Sequence, residues 1–192
     1  MKNSIKNIAA IAIVAFMTFS FTTGEEDKKE IKTANSKVVW KGYKVTGSHQ
    51  GTIAIKAGHL SFDANKLIGG EFTIDMVSIS NTDLEGENKG KLEGHLKSDD
   101  FFGVEKFPTA SLIFTKVKST GKNSYKVTGY ITIKGKSDSI TFNVSIYGNK
   151  ANASLKIDRS KFDVRYGSTS FFDNLKDKAI YDDFDLVVDL EF

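Results

Sequence analysis

From Ser36 to the C-terminus, apolar and polar residues alternate with a period of two. Phe72, Ile74 and Met76 alternate with Thr73 and Asp75, and Val127, Ile131 and Ile133 with Thr128, Tyr130 and Thr132. Ile140, Phe142, Val144 and Ile146 sit opposite Thr141, Asn143 and Ser145. Ala151, Ala153, Leu155 and Ile157 sit opposite Asn152, Ser154 and Lys156, and the last residues repeat the pattern from Phe184 to Phe192. Such alternation puts one set of side chains on an apolar interior and the other in water, as in strands with a single buried face. Turn signals at Ala57-Gly58, Gly69-Gly70, Lys134-Gly135 and Gly148-Asn149 cut the pattern into hairpin lengths. The reading is all-β: about eight antiparallel strands in an up-and-down barrel or a sandwich.

Two segments break the alternation. Leu84 to Lys97 reads as a weak helix, with Leu92 and Leu96 on one face, His95 three residues after Leu92, and Gly90 and Gly94 each costing stability. Phe162 to Lys178 reads as an irregular aromatic loop. The Phe-Phe pairs, 101–102 and 171–172, both fall outside the expected strands.

The N-terminus is a separate unit. Lys2 and Lys6 precede the apolar run Ile8–Phe21, followed by small residues, which predicts a secretory signal over residues 1–24. The run is 14 residues long, short of the ~20 needed to span a membrane. Residues 25–35 are charged and predict a flexible leader, leaving 36–192 as one domain. The chain has no cysteine, so an exported fold must rest on its core, and the cysteine of a lipid-anchored N-terminus is missing. The expected location is periplasmic or otherwise extracytoplasmic. Removing Lys2 and Lys6 from 27 basic residues leaves 25 against 24 acidic ones, a net of +1, which is no footprint for nucleic acid.

The candidates for catalysis are weak on geometry. If Ser98 caps a short helix, Asp99 and Asp100 occupy its first turn, where the helix dipole favours carboxylates without any catalytic purpose. Ser48 and His49 are strand neighbours that face opposite sides, so His49 cannot activate Ser48, and the nucleophile elbow G-x-S-x-G is missing. His49, His59 and His95 lack metal-ligand spacing. No enzyme, cofactor or metal is expected from these patterns. What remains is aromatic: Phe101, Phe102, Phe107, Phe162, Tyr166, Phe171 and Phe172 gather in or beside the irregular segments, as a plug for a barrel end or as the entrance to a lipid-sized cavity.

Three ordered elements carry a family resemblance. They are His95-Leu96 with Asp99–Phe102 and Phe107-Pro108-Thr109; Ile131–Gly135 followed by Ile140–Phe142; and Ile157–Phe162. In these the chain resembles the YceI-like family of exported lipid-binding proteins, over about Ser36–Phe192. The resemblance implies an extended, eight-stranded, lipocalin-like antiparallel barrel with a short helical segment. Its tunnel would hold the tail of a polyisoprenoid, a polyprenyl quinone or a fatty amide, for transport or storage. On that reading Trp40, Phe62, Phe72, Ile74, Phe114 and Phe142 join the seven aromatics above as ligand-binding residues. His49, Arg159 and Arg165 are the candidate headgroup partners. The partner is an apolar lipid, with no stable membrane span and with a homodimer left open. The alternative is an exported structural or interaction protein with a filled barrel. Ala151 and Ala153 discriminate: facing a void they favour the carrier, whereas Trp40 or Phe142 filling that space favours the alternative.

Overall fold

The computed structural model describes residues 26–192, so the segment read as a secretory signal lies outside the described residues. The strands are β1 (Asp27–Glu30), β2 (Lys37–Lys44), β3 (Gly47–Asp63), β4 (Lys66–Asn81), β5 (Thr109–Gly121), β6 (Ser124–Ile133), β7 (Lys136–Tyr147), β8 (Lys150–Asp158) and β9 (Ile180–Glu191). A helix, α1 (Gly86–Lys97), lies between β4 and β5. Eight strands form a ring in the order β3-β2-β9-β8-β7-β6-β5-β4, and β4 pairs back with β3, so the sheet closes into an antiparallel barrel. Closure removes the exposed edges that an open sheet of this length would carry.

The alternation maps onto the wall as expected. In β6, Tyr125, Val127, Ile131 and Ile133 are buried while Lys126 and Tyr130 are exposed. Inward positions in β7 and β8 are held by Phe142, Val144, Ile146, Ala151, Leu155 and Ile157. The connections are unequal at the two ends. At one end β3–β4, β5–β6 and β7–β8 are joined by tight turns. At the other lie the two long connections, β4–β5 with α1 and β8–β9 with two short 3-10 turns (Arg159–Phe162 and Lys176–Lys178). The irregular segments therefore share one end of the barrel.

Four expectations are corrected. Residues 27–30 are not a loose leader: they pair with His59–Phe62 of β3, and Ile31 is buried. Ladder pairing uses the backbone and needs no apolar side chains, which is why a charged segment conceals this strand; Lys29 even lays its ammonium 5.0 Å from the centre of the Phe62 ring. Ala57-Gly58 and Gly69-Gly70 are not turns but lie inside β3 and β4. A Cβ at Gly58 would meet the Phe72 ring at 2.7 Å, and one at Gly70 the Phe114 ring at 2.9 Å. These glycines make room for rings crossing the wall; the actual turn is at Ala64-Asn65, both with positive φ. Ser98 does not begin a helix but ends α1: its N–H bonds the carbonyls of Gly94 and His95 and its hydroxyl donates to His95 O. Asp99 and Asp100 follow in turns, with Asp99 paired to Lys106.

Candidate functional site

Inside the barrel is an apolar cavity of about 180 Å³ with residues from all eight ring strands on its wall. One water needs roughly 10–15 Å³ on this measure, so the space is a genuine void, and an apolar wall gives water almost nothing to bond. Several inward side chains are only part-buried, among them Ile53, Leu112, Leu186 and Val188; all four line the cavity, so their remaining accessibility is to its interior. Ala151 and Ala153 are both on the wall, facing this space together with Trp40 and Phe142. The small residues of β8 thus leave a void that the large residues opposite do not fill.

Of the residues singled out by sequence, Trp40, Phe72, Ile74, Phe101, Phe102, Phe114 and Phe142 line the cavity. The indole N–H of Trp40 is bonded to Thr52 O at 3.3 Å, leaving its ring free to serve as wall. Phe114 bridges Phe72 (5.6 Å between centroids) and Phe142 (5.7 Å). Six others lie off the wall. Phe62 is buried at the tight-turn end against Phe192, and Phe162 is buried in the core. Phe107 packs on the Gly135 turn. Tyr166, Phe171 and Phe172 are exposed. Irregular backbone has no period from which the direction of a loop ring can be read, and the structure leaves Tyr166, Phe171 and Phe172 at the barrel end but off the cavity wall.

The end of the cavity with the long connections is closed by Phe101 and Phe102, which contact each other edge to face at 5.0 Å. Lys134, at the β6–β7 turn, ties them down: its ammonium donates to the carbonyls of Asp99 (3.0 Å) and Phe101 (2.9 Å). His95 sits between Phe101 (5.5 Å) and Tyr166 (4.3 Å), so its ring joins the cavity closure to the β8–β9 loop. Its Nε2 is buried without a hydrogen-bond partner, and burial pushes its pKa down, opposed by the charge of Asp100.

Arg159 alone of the three headgroup candidates reaches the cavity wall. It is 2% exposed, and its guanidinium donates to Val164 O (2.7 Å), Ile180 O (3.0 Å) and Tyr181 O (3.2 Å), with Asp182 at 3.4 Å. Burial pulls its pKa down, opposed by Asp182 and Asp158. These partners explain why a charge is tolerated there. β2 and β9 pair at Gly42–Phe184 and again at Lys44–Ile180, so one residue on β2 faces three on β9. Tyr181 lies inside this mismatch and Ile180 at its edge, and Arg159 donates to the carbonyls of both. Gly42, Tyr43, Ile180, Tyr181 and Phe184, which frame this mismatch, all line the cavity. His49 instead lies beside Asp83 at 3.4 Å, and Arg165 pairs with Asp163 and stacks over Phe171. Among the described residues no group of three or more His, Cys, Asp or Glu is placed to hold a metal ion, and no helix is long and apolar enough to cross a membrane.

The YceI-like domain pattern matches residues 30–192, which spans the whole barrel. The chain belongs to the YceI-like family. A UPF0312 protein of Pseudomonas putida strain F1 is 29% identical over 148 residues, covering 74% of this chain and 73% of that protein. Another, from Shewanella denitrificans, is 31% identical over 91 residues, covering 47% and 46%. The YceI-like barrel also superposes on solved structures. BcnA of Burkholderia cenocepacia has a TM-score of 0.65 at 24% identity, covering 83% of this chain and 98% of that one. A polyisoprenoid-binding domain from Saccharophagus degradans has a TM-score of 0.57 at 13% identity, covering 84% and 95%. At these identities the likeness establishes the shared YceI-like fold.

Proposed function

We propose that this protein is an exported carrier or store that encloses the chain of a long apolar lipid, a polyisoprenoid, polyprenyl quinone or fatty amide, in its barrel. The observation that carries the reading is the continuous apolar cavity, kept open at Ala151 and Ala153. Burial of apolar surface at ~25 cal/mol per Å² supplies most of the affinity, and no bond to the lipid is made or broken. The structural neighbour from Saccharophagus degradans, described as polyisoprenoid-binding, supports this choice of ligand class. Cavity-lining rings such as Trp40, Phe72, Phe114 and Phe142 contact the chain, while Phe101 and Phe102 close over it. With three of its donors held by backbone carbonyls, Arg159 has limited capacity for a headgroup, which favours an uncharged one. The N-terminal signal pattern supports a place outside the cytoplasm.

The test is organic extraction of the protein purified from its native host, followed by mass spectrometry. A long-chain isoprenoid or acyl lipid in stoichiometric amount is expected; a lipid-free extract from freshly isolated protein overturns the reading.

A further inference from the structure

The end of the barrel with the long connections carries a second feature that storage of a lipid does not require. Its rim exposes Val45 in the β2–β3 turn, Tyr166, Phe171 and Phe172 in the β8–β9 loop, and Tyr181 at the foot of β9. Phe172 is 50% exposed and Tyr181 54%. Rings left in water at this density mark a contact surface rather than unused core. The strands hold the two segments together: Val45 N–H donates to Ala179 O at 3.2 Å, so the turn and the loop form one edge.

The charges around the rings narrow the partner. Over residues 161–178, Lys161, Arg165, Lys176 and Lys178 stand against Asp163, Asp173 and Asp177. A collar so nearly balanced does not match a strongly anionic surface such as nucleic acid. It matches a headgroup layer that itself carries both signs, and Tyr and Phe are suited to the boundary between headgroups and chains. The patch is also continuous with the cavity. Tyr181 belongs both to the exposed rim and to the cavity wall, beside the mismatch between β2 and β9.

We propose that this rim is a docking surface for a zwitterionic lipid bilayer, in which Tyr166, Phe171 and Phe172 enter the interface and place the β2–β9 mismatch against the membrane. The proposal deepens the carrier reading and rests on it for its purpose, but it is tested separately. The cysteine-free chain allows one label at a time. Phe172→Cys labels the rim, and Tyr147→Cys labels an exposed site at the end with the tight turns. Each carries an environment-sensitive nitrobenzoxadiazole dye and is mixed with vesicles of phosphatidylcholine and phosphatidylethanolamine.

The expected result is a blue-shifted, severalfold brighter emission at position 172 and none at 147. The unlabelled double variant Phe171→Ser/Phe172→Ser, altered only at exposed positions, should partition onto the vesicles roughly tenfold more weakly or worse. Raising salt to about 0.5 M should change wild-type partition by less than about twofold, because screening acts on charge and not on ring burial. Equal response at both positions, or none, overturns the proposal. So does partition that requires anionic lipid and disappears in salt, or a shift at 172 that tracks protein concentration without vesicles, which would assign the rim to a second copy of the chain. A lipid-free extract with vesicle docking intact would sink carriage alone; a lipid-loaded protein that ignores vesicles would sink docking alone.

Discussion

His95 packs between two segments, the Phe101 closure and the β8–β9 loop, and it does so as a neutral ring. Its depressed pKa means that the unfolded chain takes up a proton before the folded chain does. As pH falls below the ordinary histidine value of 6.5, the unfolded state gains and stability drops until the folded pKa is passed. His95→Phe retains a ring between Phe101 and Tyr166 but cannot titrate. Thermal unfolding between pH 7.5 and pH 5.5 should therefore lower the wild-type Tm more than that of the variant; equal losses would show that the His95 ring meets no protonation penalty. These contacts were not visible in the sequence, where His95 stood out for its place near Leu92 on the weak helix, for its part in the first family element, and as one of three histidines without metal-ligand spacing. Its partner Tyr166 is 71 residues away in the chain (166 − 95) and in a loop without periodicity. Arg159 lay similarly out of reach, because its partners are carbonyls, and two of them sit where β2 and β9 fall out of register.

Among elements, glycine separates what alternation can reveal from what it cannot. The turns at 134–135 and 148–149 were legible because both signals are turn chemistry between clean apolar runs. The glycines inside β3 and β4 carry the same letter for another reason, the bulk of a ring on the adjacent strand, and that ring is remote in sequence. The same substitution should then act with opposite sign at two sites. In α1, a Cβ at Gly90 meets nothing within 4 Å, and Gly90→Ala should stabilise by roughly 0.5–1 kcal/mol, seen as a higher Tm. In β3, a Cβ at Gly51 would lie 1.9 Å from Ser80 O and 2.5 Å from the Trp40 ring, so Gly51→Ala should cost at least ~1–3 kcal/mol. A Gly51→Ala protein as stable as wild type would mean that β3 and β4 separate there more easily than their pairing implies. The helix itself was legible to within two residues at its start, although its tie to β4 was not: Glu93 accepts from Ser80 Oγ and Asn81 N, both at 2.8 Å.

For the molecule as a whole, the number and period of the strands led to a barrel or a sandwich and the family resemblance to the barrel, which the closed ring bears out; the two alanines marked where a void or a filled interior would be decided, and they face a void. Which rings face inward and which face water did not follow, since only strand positions have a direction set by period. Filling the void should separate cargo from fold: Ala153→Phe is expected to lower extracted lipid per mole several-fold while leaving the Tm of lipid-free protein unchanged or higher. Undiminished lipid in that variant would place the cargo elsewhere. On the proposed carrier reading, the mismatch between β2 and β9 would bear on how fast a cargo leaves. A cylinder sealed along its length releases a threaded tail only end first, each added unit lengthening the journey. A wall with an imperfect seam lets the tail peel away sideways, a few carbons at a time, so residence inside would be governed by the seam and depend only weakly on how long the tail is.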